Sequence, residues 1–554
     1  MKPEVNYDKK IKIENFKCIN GCFELDLTTG INILVGNNEA GKSTILEAIH
    51  LALSGIFRGK PIRGNLTQYL FNYDIVKKYL EAINNGVPTK APHILIELYL
   101  NEDFPILEGD RFTKKDTFGR ACGIGLEIAL DEKYKEEYEA LIALGDVISI
   151  PIEYYDVDWY SFARKQLTSR SIPIKSSFID VGFSKFQNGS DIYISRIVQS
   201  ILETEEKTKV AQAYRKAKEK FSQDPAIASI NSMITEISKL SSKKIELTVD
   251  LGSRSTWDGS LLTQLDNIPF EFVGKGEQAI IKTDLALSDK RAESSSVILI
   301  EEPECHISHT RLNQLLNSIK KNYNTKQILI STHSSFVSNK LGLDNLILLN
   351  HQKTTRFTYL ESTNFFEKIS GYDTLRLILC KKAILVEGDS DELILQRAYM
   401  DSNDGRLPVE DEVEIISVGT SFLRFLEIAR NLKISVKVVT DNDGDIIALE
   451  KKYEDYIGVN KKKNIEICYD EHVYTGKLTI GKEGNKKDFN YNTLEPLMLK
   501  ANSLQAFNDI FGKAYSTEDE LHKYMKQNKT DCALKIFSST TNVEYPEYIN
   551  RAIL

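Results

Sequence analysis

The chain has 554 residues, 42% of them hydrophobic and 27% charged, which excludes a disordered polymer and leaves room for two or three domains with full cores. Its formal net charge of -8 excludes a uniformly basic nucleic-acid coat, although a basic cleft can sit inside an acidic average. The seven cysteines are scattered without C-x-x-C spacing, which argues against zinc and suits reduced thiols, and the absence of a leader-like or spanning apolar run predicts a soluble, cytoplasmic protein.

In chain order, Ile11 to Phe16 and Gly30 to Val35 read as strands, and Thr44 to Leu53 carries helical apolar spacing. Ile94 to Leu100 alternates like a strand, and Pro151 to Trp159 and Ser171 to Lys175 read as extended. From Ile194 to Leu240 charged and apolar residues follow helical spacing, interrupted near Asp224-Pro225. That pattern fits either two solvated surface helices or an inserted dimerisation arm. Strand-like sequence returns at Ile245 to Leu251, Val297 to Ile300 and Gln327 to Ser331, and a further strand-helix alternation begins at Ala383. The pattern predicts an α/β chain in four parts: residues 1–190 and 244–370 as two halves of one core, 191–243 as a helical insertion, and 381–554 as a second α/β domain.

Gly36-Asn37-Asn38-Glu39-Ala40-Gly41-Lys42-Ser43, followed by Thr44, fits G-x-x-x-x-G-K-[ST] after an apolar strand and before a helix, the context that motif requires. Its glycines free backbone N–H groups to face phosphates, Lys42 reaches the outer phosphates, and Ser43 holds Mg2+. ATP is the expected ligand. The matching acidic strand end is Val297-Ile298-Leu299-Ile300-Glu301-Glu302, where Glu301 is expected to support the metal and Glu302 to polarise the attacking water. Gly274-Lys275-Gly276-Glu277-Gln278 stands where ABC-type ATPases carry the signature loop that meets a partner subunit's nucleotide, and His333 resembles their switch histidine. This order implies a dimer or higher oligomer.

Two later strands end in acids: Ala383 to Val386 delivers Glu387, with Asp391 behind it, and Val436 to Val439 delivers Asp441 and Asp443. Parallel sheets place their sites beyond the carboxyl ends of the strands, so neighbouring strands bring these oxygens together for Mg2+ or Mn2+.

Glu387-Gly388 followed by Asp441-x-Asp443 resembles the TOPRIM fold of topoisomerases, primases and certain nucleases. An ABC-type ATPase followed by TOPRIM is similar to the OLD (overcoming lysogenization defect) family, and the similarity covers nearly the whole chain. The blocks that carry it are Val273-Gly274-Lys275-Gly276-Glu277-Gln278, Glu301-Glu302-Pro303-Glu304 and Thr440-Asp441-Asn442-Asp443-Gly444. The resemblance implies that Glu387, Asp391, Asp441 and Asp443 ligate metal, that Glu495 in Thr493-Leu494-Glu495 joins them, and that Lys529 in Lys529-Thr530-Asp531-Cys532-Ala533 stabilises charge on the scissile phosphate. Two positions depart from the pattern: Asp391 stands where many members carry Glu, and Glu301 where most ABC proteins carry Asp. ATP turnover is thus less firmly implied than ATP binding.

The same resemblance implies an ATP-responsive, metal-dependent DNA endonuclease or nickase, found in anti-phage systems that pair it with a helicase, as in Gabija, or with a retron reverse transcriptase and its DNA-RNA product. Lys461-Lys462-Lys463 and Lys486-Lys487 flank the acidic strands and serve either as DNA phosphate contacts or as solvated loops. Rival readings are an SMC-like or RecF-like clamp that does not cut, and a topoisomerase or primase. The acidic motifs oppose the first, and no sequence feature identifies the nucleophilic tyrosine or polymerising chemistry that the second requires.

Overall fold

The computed structural model describes residues 8–554 apart from 114–118, 146, 170, 181–185, 188–189, 192–201, 203, 238–246, 250–256, 258–261, 289–295, 323–325, 351, 358–359 and 481–486. The chain divides into two compact units, Met1–His333 with Ile347–Thr354, and Ser334–Leu346 with Thr355–Leu554. Among the described residues, no helix is long and apolar enough to cross a membrane.

The first unit carries two six-stranded sheets. In one, Asp8–Glu14, Cys22–Asp26, Ile94–Leu100, Ala121–Leu130 and Tyr155–Ser161 pair antiparallel. In the other, Lys175–Asp180, Ser296–Glu301, Gln327–Ser331 and Ile31–Gly36 run parallel in that order. The helix Lys42–Ser54 has nine buried residues, too many for a surface helix with one apolar stripe. Its Ile45, Leu46 and Ile49 share one core with Ile11, Ile96 and Ile124 of the first sheet and Leu34, Leu299 and Leu329 of the second. Each such fully buried side chain contributes about 1.5–3 kcal/mol. The helix stops at Gly55, whose positive φ closes the last turn and where a Cβ would meet the Trp159 ring at 2.7 Å.

Several sequence expectations shift in place. Ile94–Leu100 does not alternate between core and solvent but is buried along nearly its whole length. Its Glu97 is satisfied internally, accepting hydrogen bonds from Thr113 N (2.9 Å), Thr113 Oγ1 (2.9 Å) and Tyr99 Oη (3.0 Å). Ser171 to Ile174 is not strand; the strand begins at Lys175, because only from there does the backbone pair with Ser296–Glu301. Of Ile194 to Leu240, the described part forms helices Thr204–Ser222 and Pro225–Ile237. Between them Asp224 Oδ1 accepts from Ala226 N at 2.9 Å and Pro225 takes the first helical position, a start signal that explains the break. Residues 247–249 of Ile245 to Leu251 are not strand, and the rest of that segment lies outside the described residues.

The second unit is organised on a four-stranded parallel sheet in the order Val413–Ser417, Lys382–Val386, Ser435–Val439, Ile465–Cys468. Helices Asp389–Ser402, Leu494–Ala501, Lys529–Ser538 and Glu547–Ile553 contribute to one core with it, through Leu395, Met498, Ile536 and Ile549 among others. Arg397 on the first of these helices donates to the carbonyls of Phe537 (3.0 Å) and Ile536 (3.4 Å). A guanidinium at a helix carboxyl terminus satisfies orphan carbonyls, and here it fixes the helix that begins at Lys529.

Candidate nucleotide site and acidic centre

The phosphate loop leaves the fully buried strand Ile31–Gly36 and enters Lys42–Ser54. At Gly36 a Cβ would stand 2.6 Å from the Leu349 carbonyl oxygen, so the loop closes only on glycine. Glu39 (φ 64°) and Gly41 (φ 98°) take left-handed backbone around the curve. The buried Lys42 donates through Nζ to Gly36 O (2.9 Å) and Asn37 O (3.1 Å), which holds the ammonium across the loop. Burial lowers its pKa, opposed by Glu302, Glu301 and Glu304. These three acids lie at the end of Ser296–Glu301, separated from the phosphate-loop strand by Gln327–Ser331.

Glu302 adopts φ 44°, unusual for a non-glycine residue, and its N–H donates to Ser331 O at 2.9 Å. His333 Nε2 stands 3.8 Å from Glu302 Oε1. Burial and the Lys42 charge lower the imidazole's pKa, so at neutral pH this is a loose polar approach of a neutral ring and not an ion pair. Gly274 precedes the helix Lys275–Ser288, and at Gly276 a Cβ would come within 2.3 Å of His306 O. Gln278 Nε2 donates to Phe270 O and Val273 O, both at 2.8 Å, which fixes the turn ahead of that helix. Thus Lys42, Glu301, Glu302 and His333 are brought together, while Gly274, Gly276 and Glu277 stand at the start of a separate helix, with Glu277 3.9 Å from Arg311.

In the second unit the strands ending before Glu387 and Asp441 are direct neighbours, Leu385 facing Val438. Asp391 Oδ2 accepts from Gly388 N at 3.1 Å, which caps the helix Asp389–Ser402 and turns the carboxylate back over the strand end. Asp391 is pushed up to about 6 by burial, against its Gly388 bond and with the charges of Glu495 and Glu387. Asp441 is raised well above the usual range by burial, then Asp391, Glu495 and Asp443. Lys529 Nζ lies 3.0 Å from Glu495 Oε1. Burial works to lower the pKa of Lys529, but Glu495, Asp441 and Asp391 outweigh it and raise it. Glu387, Asp391, Asp441, Asp443, Glu495 and Lys529 therefore act on one another although they come from widely separated segments.

Residues without a motif hold this arrangement. The buried Asn442 donates to Asp470 O (2.6 Å) and His472 O (2.9 Å) and accepts from Gly444 N (2.9 Å), locking the turn between Asp441 and Asp443. Asn490 Nδ2 donates to Asp443 Oδ1 at 2.9 Å, and Thr493 Oγ1 to Glu495 Oε2 at 3.3 Å. Tyr548 is buried against the same charges, and burial first, then Asp441 and Asp391, keep its phenol protonated. The one signal for these in the sequence is Asn490-x-Asn492-Thr493, a cluster of local hydrogen-bonding residues ahead of the Glu495 helix.

All the donors are hard oxygens, and the raised carboxyls mark a negative excess that a divalent cation relieves, so the residues fit Mg2+ or Mn2+ in kind. Among the described residues no group of three or more His, Cys, Asp or Glu is closed into a cation cage. The expected ligand set converges by charge, but Asp391 and Asp443 are turned to local N–H donors and Glu495 to Lys529. Lys461, Lys462, Lys463 and Lys487 are exposed, and Lys486 lies outside the described residues.

This combination defines an α/β protein in which an ABC-type ATPase domain is followed by a TOPRIM domain. Residues 9–337 match the family model described as AAA ATPase domain, and residues 378–443 match the overcoming lysogenization defect protein-like TOPRIM domain. The chain belongs to the AAA ATPase domain family and, with its TOPRIM domain, to the OLD family. The TOPRIM match takes in Glu387, Asp391, Asp441 and Asp443 and ends before Glu495 and Lys529.

One curated relative, the DNA double-strand break repair Rad50 ATPase of Methanopyrus kandleri, is 51% identical over 45 residues, 8% of this chain and 5% of that protein. Among solved structures, the SMC head bound to the C-winged helix domain of ScpA is 15% identical with a TM-score of 0.33, covering 65% of this chain and 99% of that one. The SMC head domain from Thermotoga maritima is 13% identical with a TM-score of 0.28, covering 64% and 100%. RecF with ATP, of the RecFOR pathway, is 11% identical with a TM-score of 0.32, covering 63% and 99%.

Proposed function

We propose that this protein is an ATP-governed, divalent-metal-dependent DNA endonuclease or nickase, working as a dimer or higher assembly in anti-phage defence. The observation that carries this reading is the gathering of buried carboxyls beyond two neighbouring strand ends: Asp391, in the first turn of the helix after one strand, and Glu495 raise Asp441 at the end of the other, with Lys529 held on Glu495 beside them. Perturbed carboxyls gathered at strand ends favour a catalytic role over a purely structural one.

Glu387, Asp391, Asp441, Asp443 and Glu495 are the residues to hold Mg2+ or Mn2+, which supplies Lewis acidity at phosphate oxygens and lowers the pKa of a bound water. Asn442 keeps the Asp441–Asp443 turn rigid, and Asn490 orients Asp443. Lys529, kept cationic by its neighbours, offers charge to the phosphate as negative charge builds on it. In the head, Lys42 exchanges its two carbonyl partners for nucleotide phosphate, with Ser43 and Glu301 on the metal and Glu302 directed to water. Nucleotide then shifts the population of head arrangements, with the Gly274–Gln278 turn offered to a second head. A companion helicase, or a reverse transcriptase with its DNA-RNA product, is the partner class this setting implies.

The test is plasmid cleavage in Mg2+ and in Mn2+, with and without ATP, comparing the native protein with an Asp441→Ala/Asp443→Ala variant whose melting curve shows it folded. Cleavage lost in the variant supports the reading, and the ATP arm gives the sign of control. Cleavage that persists in the folded variant removes the acidic centre from the chemistry, and tight DNA binding with no cutting in any condition points to a clamp.

A further inference from the structure

The acidic turn after Ser296–Glu301 contains a third acid, Glu304, beyond Pro303. Its Oε1 accepts two hydrogen bonds from the segment leaving the adjacent strand, from Thr332 Oγ1 at 2.8 Å and from His333 N at 2.9 Å. That segment, Thr332 to Ser334, lies between the strand Gln327–Ser331 and the helix Ser335–Leu341 and belongs to neither. Thr332 N donates to Leu34 O at 3.2 Å and Ser334 Oγ accepts from Val337 N at 3.3 Å, so the strand holds one end of the segment and the helix cap the other, and between them the His333 N–H is taken by Glu304. The strand itself reaches the acidic turn through a different bond, Glu302 N to Ser331 O. The Glu304 carboxylate is therefore the tie by which the residue bearing the imidazole is fastened to the strand bearing Glu302.

Two further facts separate this tie from ordinary packing. Thr332 is fully buried, so its hydroxyl needs a partner inside the protein, and Glu304 supplies one. The second oxygen, Glu304 Oε2, is also buried and has no hydrogen-bond partner among the described residues. A carboxylate kept with one oxygen unsatisfied costs stability, and such costs concentrate where function requires them. Its charge also acts on both Lys42 and His333, the two groups that flank the phosphate position.

We propose that Glu304 is a positioning residue of the nucleotide site: its carboxylate pins the Thr332–His333 turn to the acidic strand and so sets where the His333 imidazole stands beside Glu302. Glu304 touches no reacting atom and acts through His333. The assignment requires only that the head binds and turns over nucleotide, and it is independent of whether the second unit cuts DNA.

The experiment compares Glu304→Ala, Glu304→Gln and Thr332→Val in the full chain, measuring ATP turnover, affinity for a fluorescent ATP analogue, and hydrogen exchange of the peptide spanning the switch turn. Glu304→Ala is expected to lower kcat about tenfold or more while KM and analogue affinity move less than about threefold, the split typical of a lost supporting contact. Exchange of the His333 amide rises in the same variant. Glu304→Gln keeps a carbonyl acceptor and restores most of the turnover and protection, and Thr332→Val gives a smaller effect of the same kind. Unchanged exchange at His333 in Glu304→Ala overturns the proposal, as does loss of turnover and affinity in equal measure without rescue by Gln. Should native turnover be too slow to measure, exchange at His333 decides alone; should the Ala variant fail to fold, Gln and Thr332→Val carry the comparison.

Discussion

The nucleotide site and the acidic centre both sit at the carboxyl ends of parallel strands, yet they balance charge in opposite ways. At the nucleotide site one buried ammonium, Lys42, is held by backbone carbonyls with three acids nearby, and the loop around it is complete within a few consecutive residues. At the acidic centre several carboxylates crowd one ammonium, Lys529, and two of them are pushed toward protonation. The first site is already shaped by its own backbone, which holds the ammonium across the loop. The second carries an excess of negative charge that one ammonium only partly offsets. Local backbone geometry shapes a phosphate loop, whereas an acidic centre has to assemble charges that repel one another.

The widest test of this contrast is Asp441→Ala. Cleavage is expected to fall at least about a hundredfold, as for loss of a group acting on developing charge, while the metal-free protein melts no lower than native, because a buried and mutually repelled carboxylate has been removed. A melting temperature that drops sharply would show Asp441 to be structural. Next in size, Lys42→Ala should weaken ATP binding by about 1.5–3 kcal/mol, the worth of a hydrogen bond to a charged group, measured by calorimetry. The thermal response of the same variant to Mn2+ should match the native one, and a lost response would break the separation of the two sites.

Lys529→Met removes the only ammonium in contact with Glu495 among the described residues. Cleavage is expected to fall about tenfold or more, with metal affinity held or raised, since Glu495 is freed of its competitor. A large loss of metal affinity would instead make Lys529 an organiser of the ligands.

The smallest effect is a pH-dependent thermal shift. Asp391 titrates near 6 in the folded chain against an ordinary 3.8. Between those values the folded state keeps a proton that the unfolded chain releases, so metal-free stability falls as pH rises through this window. A divalent cation cancels that loss. Mn2+ should therefore raise the melting temperature by several degrees more at about pH 7.5 than at about pH 5, and Asp391→Asn should flatten the difference. Equal shifts at both pH values would remove Asp391 from the cation site.

The helix and strand positions that could be read from sequence were those with a local cause. Gly36 through Ser43 are specified by the strand before them, the helix after them and glycines whose backbone admits no alternative. Lys382–Val386 and Ser435–Val439 are short apolar runs ended by acids, and both are strands. Ile94–Leu100 is the strand its alternation predicts, but both its faces are covered, because its charged residue Glu97 is buried and hydrogen-bonded. Ser171 to Lys175 reads only as extended, and where the paired strand begins, at Lys175, depends on a partner more than a hundred residues away.

By itself, then, the sequence determined the phosphate loop, the acidic strand ends and their order along the chain, because each is written in consecutive residues whose backbone and apolar pattern act locally. Tertiary structure alone decided that Lys529 meets Glu495, that Asn490 turns Asp443, that Tyr548 lies against the acids and that Glu304 grips the His333 turn. Those pairings join segments distant in the chain, and their hydrogen bonds and charge interactions exist only after the sheets and helices have packed and excluded water from between them.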